Sequence, residues 1–151
     1  MIDNPRRMES NELMSRILVA VSSPWAAEKV AEPLASLAQQ LNAEVLAVHV
    51  SRPSGGQMRE QEQADGEAAV RLLSDRLASK NVAVQTLLMF SDDIARAIIN
   101  TAVERQITLI VLGLTGKNIF ARLLAGNVPV ELIKNTQIPV LLLPPGFNGS
   151  I

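Results

Sequence analysis

Residues 108–132, TLIVLGLTGKNIFARLLAGNVPVEL, decide how the rest of the chain is read. The stretch opens with four consecutive apolar residues, a run that is too short for a core helix and typical of a buried strand. A glycine ends the run at position 113. Asn127 and Pro129 then have the composition of a helix cap and a first helical turn. The stretch therefore predicts a strand, a glycine-containing loop and a helix in succession.

The predicted loop has the composition of an anion site. The glycines Gly113, Gly116 and Gly126 let backbone N–H groups approach a ligand closely, and the start of a helix leaves further N–H groups free. The charged residues of the loop are Lys117 and Arg122, both positive, so no carboxylate would repel a phosphate. The spacing differs from a P-loop, which needs four residues between its glycines, and from the dinucleotide fingerprint GxGxxG.

Composition narrows the class of protein. The 151 residues suit one domain, and 48% hydrophobic with 3% aromatic residues indicates an aliphatic core. A net charge of −1 gives no reason to expect a nucleic-acid binder. The absence of cysteine excludes disulfides and thiolate metal sites. With no apolar run of membrane-spanning length and no signal-peptide pattern, we expect a cytoplasmic protein.

Strands and helices are predicted to alternate along the chain. Strands are expected at residues 16–21, 44–50, 83–89, 109–113 and 139–143. Helices are expected at residues 25–41, bent by Pro33, at 64–79, from a cap at 91–93 to about 106, and from 128 to about 135. The segment 51–63 is predicted to be a mobile loop. Residues 1–14 are expected to form a flexible leader and residues 146–151 a flexible tail around a domain that covers residues 15–145.

This alternation predicts an α/β fold, a three-layer open sheet of five parallel strands in the order 3-2-1-4-5 with helices on both faces. Ligands bind such sheets where the strand order reverses, at the carboxyl ends of strands 1 and 4. Those ends carry Ser22 and Ser23 on one side and Gly113 and Leu114 on the other. The core-facing helix stripes are predicted to be Val30, Leu34, Leu37 and Leu41; Ala69, Leu73 and Leu77; and Ile94, Ile98 and Ala102.

The glycine spacing resembles the nucleotide loop of the universal stress protein family, in which two and then nine residues separate three glycines. RILVAV, LAVHV and IPVLLLP are similar to the first, second and last strands of that family, so the resemblance covers about residues 15–144. It implies the adenine nucleotide alpha hydrolase-like fold and a regulatory protein that binds ATP, ADP or AMP. It also implies that Val50 lies beside the adenine. Together with the strand ends, the expected binding residues are Val21, Ser22, Ser23, Val50, Gly113, Leu114, Gly116, Lys117, Gly126, Asn127 and Val128.

Three positions depart from the nucleotide-binding members of the family. Ser22 stands where those members usually have Asp, Asp92 stands where they often have Gly, and Asn127 replaces a hydroxyl residue. The missing carboxylate at Ser22 and the additional carboxylate at Asp92 disfavour binding of a magnesium triphosphate. A nucleotide with fewer phosphates still fits. We expect no metal site of the protein itself, with magnesium at most as the counter-ion of the nucleotide.

Other functions stay open at the level of sequence. The chain is also similar to stress-protein-like domains attached to membrane transporters, which implies a nucleotide-free regulatory module as the alternative. A slow nucleotide hydrolase lacks an evident general base. A Ser22–His49–Asp92 triad would lack the usual nucleophile elbow, so His49 is expected to have a backbone partner instead. Trp25 and Phe120 are expected to be packing residues.

The last predicted strand suggests how the protein assembles. In the order 3-2-1-4-5 this strand is an edge, yet its residues Val140, Leu141, Leu142 and Leu143 carry no charge. An uncharged edge strand readily pairs with another chain. The sequence therefore predicts a homodimer through this strand, as in dimers of the family.

Overall fold

The computed structural model describes residues 14–53, 56–113 and 128–144, together with Phe147 and Ile151. Its strands are β1 (Arg16–Ala20), β2 (Glu44–Ser51), β3 (Val84–Phe90), β4 (Leu109–Gly113) and β5 (Val140–Leu143). The helices described are α1 (Pro24–Leu41), α2 (Gly56–Ser79), α3 (Ile94–Glu104) and α4 (Val128–Asn135). Most of the predicted leader and most of the predicted tail lie outside the described residues. No helix in the described part of the chain combines the length and apolarity needed to cross a membrane.

The five strands form one parallel sheet in the order β3-β2-β1-β4-β5, which confirms the predicted topology. β1 lies at the centre, and its side chains alternate between two buried clusters. Ile17 and Val19 pack with residues of α1 and α2, whereas Leu18 packs with residues of α3 and α4. Both faces of the sheet are therefore covered, which explains why the central strands are continuous apolar runs.

The helix stripes predicted from periodicity form most of the core. Val30, Leu34 and Leu37 of α1 are buried, and so are Ala69, Leu73 and Leu77 of α2 and Ile98 and Ala102 of α3. The prediction was wrong for Leu41, which is 42% exposed. Leu41 is the final residue of α1, and the chain turns at Asn42, whose φ is 52°, so no further helical turn packs beside it.

α2 begins eight residues earlier than predicted. The segment 51–63 was expected to be a mobile loop, but the helix already starts at Gly56. Side-chain pairs one turn apart support this polar segment: Gln61 donates to Asp65 (2.9 Å) and Gln63 donates to Glu67 (3.4 Å). Such i, i+4 pairs stabilise a helix that has little apolar surface to bury.

The remaining element ends agree with the predictions to within two residues. β2 continues to Ser51 because Ser51 still pairs with Phe90 of β3. α3 ends at Glu104, since Gln106 has a φ of 56° that no helix can continue. Pro33 lies inside α1 as expected, and the bend expected there stays a prediction.

Candidate ligand site at the carboxyl edge of the sheet

Strand register brings the described candidate residues to one edge of the sheet. Ala20, the last residue of β1, lies opposite Val48 of β2 and Leu112 of β4. The next residues along each strand follow the same register. Val21 and Ser22 therefore come beside Val50 on one side and beside Gly113 on the other. This is the point where the strand order reverses, as the sequence predicted.

The backbone of Val21 is held within the protein. Its N–H donates to the Val48 carbonyl at 3.0 Å, and its carbonyl accepts from His49 Nδ1 at 2.9 Å. Its side chain is buried, whereas Ser22, the next residue, is exposed. Ser22 is therefore the first exposed residue after β1, and it lies at the switch point.

The first turn of α1 begins directly after Ser22. Ser23 is the N-cap, and its Oγ accepts from the Ala26 N–H at 3.2 Å. Pro24 occupies the position where a helix tolerates the loss of a donor, and the first turn contains no acidic residue. The positive end of an 18-residue helix therefore lies at this edge without a neighbouring carboxylate in its own first turn.

His49 is buried beneath the same edge. Its side chain is 3% exposed, and its hydrogen bond to Val21 confirms the predicted backbone partner. The ring lies against Gly66 of α2, where an added Cβ would come within 2.0 Å of His49 Cδ2. Nε2 is buried and has no hydrogen-bond partner among the described residues. With one ring nitrogen bonded and the other enclosed, His49 cannot serve as a base for Ser22, so the triad does not form.

Asp92 lies to the side of the switch point. It follows β3, and β2 separates β3 from β1. Asp93, not Asp92, caps α3, because its Oδ1 accepts from the Arg96 N–H at 3.0 Å. Asp92 itself is exposed and makes no ion pair in the part of the chain that the structure describes.

Trp25 is not the packing residue that the sequence predicted. It is 54% exposed in the first turn of α1. The Lys29 ammonium lies 5.6 Å from the centroid of its ring, which is the distance of a cation–π contact. The spacing of four residues between Trp25 and Lys29 was the sequence signal that could have predicted this contact. Phe120 lies outside the described residues.

The glycine loop is only partly described. Gly113 is the last residue of β4 and pairs with Leu143, and Val128 is the first residue of α4, where the helix was predicted to begin. The other loop candidates, Leu114, Gly116, Lys117, Gly126 and Asn127, lie outside the described residues, so their role in binding stays a prediction. Among described residues, no group of three or more His, Asp or Glu side chains is placed to hold a metal ion.

Comparison with known proteins is consistent with this architecture. The sequence model of the universal stress protein family matches residues 14–144. A universal stress protein from Methanocaldococcus jannaschii is 26% identical over 141 residues, covering 87% of this chain and 82% of that protein.

Solved structures of universal stress proteins share the fold. One from Archaeoglobus fulgidus superposes with a TM-score of 0.69 at 20% identity and covers 89% of this chain and 97% of its own. A complex from the same organism with dAMP has a TM-score of 0.65 at 21% identity (85% and 96% covered). A universal stress protein in complex with cAMP has a TM-score of 0.65 at 19% identity (87% and 97% covered). At these sequence identities, the structural similarity shows that the fold is shared. The bound nucleotides are properties of those proteins alone.

Proposed function

The chain belongs to the universal stress protein family, and we propose that it is a regulatory protein that binds an adenine nucleotide at the β1–β4 switch point. The observation that carries the proposal is the register, which gathers Val21, Ser22, Val50 and Gly113 at the edge where α1 begins. Structures of the same fold in complex with dAMP and cAMP support the choice of an adenine nucleotide.

Each part of the proposed ligand has a matching group. The end of β2 at Val50 would lie beside the adenine, and the exposed hydroxyl of Ser22 is placed to bond a ribose hydroxyl. The start of α1, with no acid in its first turn, favours a phosphate on electrostatic grounds. Backbone N–H groups of the glycine loop, including those at Gly116 and Gly126, would complete the phosphate site.

The charges at the site indicate how many phosphates the preferred nucleotide carries. Ser22 offers no carboxylate to a magnesium ion, and the described residues contain no acidic cluster that would replace it. A triphosphate therefore lacks a metal partner in this site, and Asp92 adds a negative charge at the same edge. We propose AMP as the preferred ligand, ADP as the next, and no requirement for magnesium.

Calorimetric titration with AMP, ADP and ATP, each with and without magnesium, tests the proposal. We expect saturable heat for AMP that magnesium does not alter. Gly126→Val should abolish this heat by blocking close approach of the loop backbone, whereas Gly149→Val in the predicted tail should not. Absence of heat with all three nucleotides would refute nucleotide binding.

The second candidate function is a nucleotide-free module that regulates a partner such as a membrane transporter. The observation that favours it is the serine at position 22, where a carboxylate would otherwise bind ribose or metal. In that case Gly126→Val should leave partner regulation intact. We propose no hydrolysis of the bound nucleotide, because His49, the only histidine of the chain, has one ring nitrogen bonded and the other enclosed and so is not placed as its general base.

In either role we propose that two copies associate through β5. The strand is an edge of the sheet, as predicted, and carries no charge. Its side chains already face the core, since Leu143 is buried and the other three are half-buried. Pairing between copies would therefore use the outward backbone groups of β5 rather than exposed side chains.

A further inference from the structure

A cavity lies at the edge of the sheet opposite the candidate ligand site, where β1, β2 and β3 begin. Its volume is about 370 Å³, within the range of small-ligand sites. The apolar floor of the cavity consists of Leu46 and Ile107, which are at most 7% exposed and lie on the face of the sheet that α3 covers. Ile17 and Val45 also line the cavity, but their side chains pack in the cluster on the other face. β1 separates this cavity from the carboxyl edge by five residues, or about 16 Å.

One arginine at the cavity is already neutralised. Arg16 Nε lies 2.9 Å from Glu44 Oε1, and Arg16 Nη1 donates to Gln106 Oε1 at 2.8 Å. The Glu44 carboxylate therefore has a cation beside it. It does not present an unpaired negative charge to a ligand.

Arg105, the other arginine in the cavity wall, has no such partner. Its Nη1 makes one long hydrogen bond of 3.4 Å to Gln85 Oε1, and none of the ion pairs in the described residues involves it. Two arginines and one glutamate thus leave one positive charge at the cavity. Most N–H donors of the Arg105 guanidinium remain available.

The backbone at the end of α3 does not oppose an anion beside Arg105, and the exposed Glu104 carboxylate does not line the cavity. Carbonyl groups of the last turn carry partial negative charge when they are free. Here the carbonyls of Thr101, Ala102 and Val103 accept hydrogen bonds from the N–H groups of Arg105, Ile107 and Gln106 respectively. Gln106 holds this turn with a φ of 56°, a left-handed conformation unusual for a residue with a side chain. The side chain of Gln106 accepts the hydrogen bond from Arg16.

We propose that this cavity binds a small aliphatic carboxylic acid. The carboxylate would pair with the forked N–H groups of Arg105, which match two carboxylate oxygens, and the aliphatic chain would lie on the apolar floor. A monoanion balances the single uncompensated charge. Inorganic phosphate carries more charge and has no apolar part to bury, so the cavity should discriminate against it.

Calorimetric titration of the whole chain with sodium hexanoate tests the proposal. We expect saturable binding that Arg105→Gln weakens by about tenfold or more, because a charge-assisted pair is lost. Arg96→Gln is the matched control on the same helix, since Arg96 is exposed and pairs with Asp93 at the other end. The Arg96→Gln variant should bind hexanoate with the same affinity as the wild type.

Two probe series test the apolar floor and the charge. Affinity should rise about fourfold per methylene from butanoate to hexanoate, as expected for burial of aliphatic surface. Hexylamine, which keeps the chain but reverses the charge, should not bind. Equal weakening by Arg105→Gln and Arg96→Gln, or phosphate or hexylamine binding as tightly as hexanoate, would overturn the proposal.

The same titration in saturating AMP separates this site from the nucleotide site. Hexanoate affinity should be unchanged, since the two ligands would occupy opposite edges of the sheet. Competition between AMP and hexanoate would place both at one site and refute a separate cavity ligand. A protein that binds hexanoate but not AMP would keep this inference and lose the proposed nucleotide function.

Discussion

At the scale of single residues, His49 connects the central sheet to α2. Its Nδ1 bonds the carbonyl of Val21, the residue before Ser22, and its ring lies against Gly66. Gly66 is buried, and any side chain there would enter the space of the imidazole. A larger residue at position 66 would therefore displace the His49 ring, and through its hydrogen bond the ring would displace the end of β1.

Gly66→Ala should lower the free energy of unfolding by about 2 to 3 kcal/mol. The new Cβ would come within 2.0 Å of His49 Cδ2, and the ring cannot move away without breaking its bond to Val21. Urea unfolding of the single and double variants measures the effect. In the His49→Ala background the same substitution should cost at least 1 kcal/mol less. An equal cost in both backgrounds would show that the ring is not the obstacle.

Ser22 is the second residue on which the proposed function depends. Ser22→Asp introduces the carboxylate that the family resemblance leads us to expect at this position, so AMP affinity should rise about tenfold through a charge-assisted bond to ribose. ATP binding should then become magnesium-dependent. Ser22→Ala is the control and should bind AMP no more tightly than the wild type. Calorimetry decides, and unchanged nucleotide affinity in Ser22→Asp would place the ribose elsewhere.

At the scale of elements, the sequence predicted those whose apolar pattern is strong. The four residues 109–112 identified β4, and the stripe at Ala69, Leu73 and Leu77 identified the buried part of α2. The first two turns of α2 were not predicted because they are polar and the helix begins at the second glycine of a pair. Their support comes from side-chain pairs such as Gln61 with Asp65, which hydrophobic periodicity does not detect.

The two edge strands differ in what they expose. On β3, Leu88 and Phe90 are 43% and 56% exposed, whereas the side chains of β5 are half-buried or buried. An association through β5 must therefore depend on its backbone. Ile110 N–H donates to the Pro139 carbonyl while Ile110 lies opposite Val140. In a parallel pair this register turns the Val140 N–H away from β4.

Val140→Pro should weaken the proposed dimer at least about tenfold, because it removes that outward donor and leaves a partner carbonyl unpaired. Proline is tolerated as the first residue of an edge strand, so β4 pairing should survive. Val140→Ala loses the same side chain but keeps the N–H, and it should dimerise like the wild type. Sedimentation equilibrium measures both. A wild type that is monomeric at micromolar concentration would contradict the dimer itself.

At the scale of the whole molecule, the sheet carries a candidate site at each end. The carboxyl-edge site was predictable because strand order alone decides where the chain reverses. The amino-edge cavity was not, since it depends on three-dimensional contacts between distant residues. Arg16 reaches Gln106 across 90 positions, and Arg105 reaches Gln85 across 20. No local motif in the sequence marks such a group.

We propose above all that an adenine nucleotide binds where β1 and β4 part. Titration of isotope-labelled protein with AMP, followed by amide NMR, tests this position directly. We expect saturable shifts at Ser22, Ser23, Val50 and Gly113, with little change at Ile107 on the opposite edge. Saturable shifts confined to the amino edge, or no shifts at the first four residues at millimolar AMP, would contradict it.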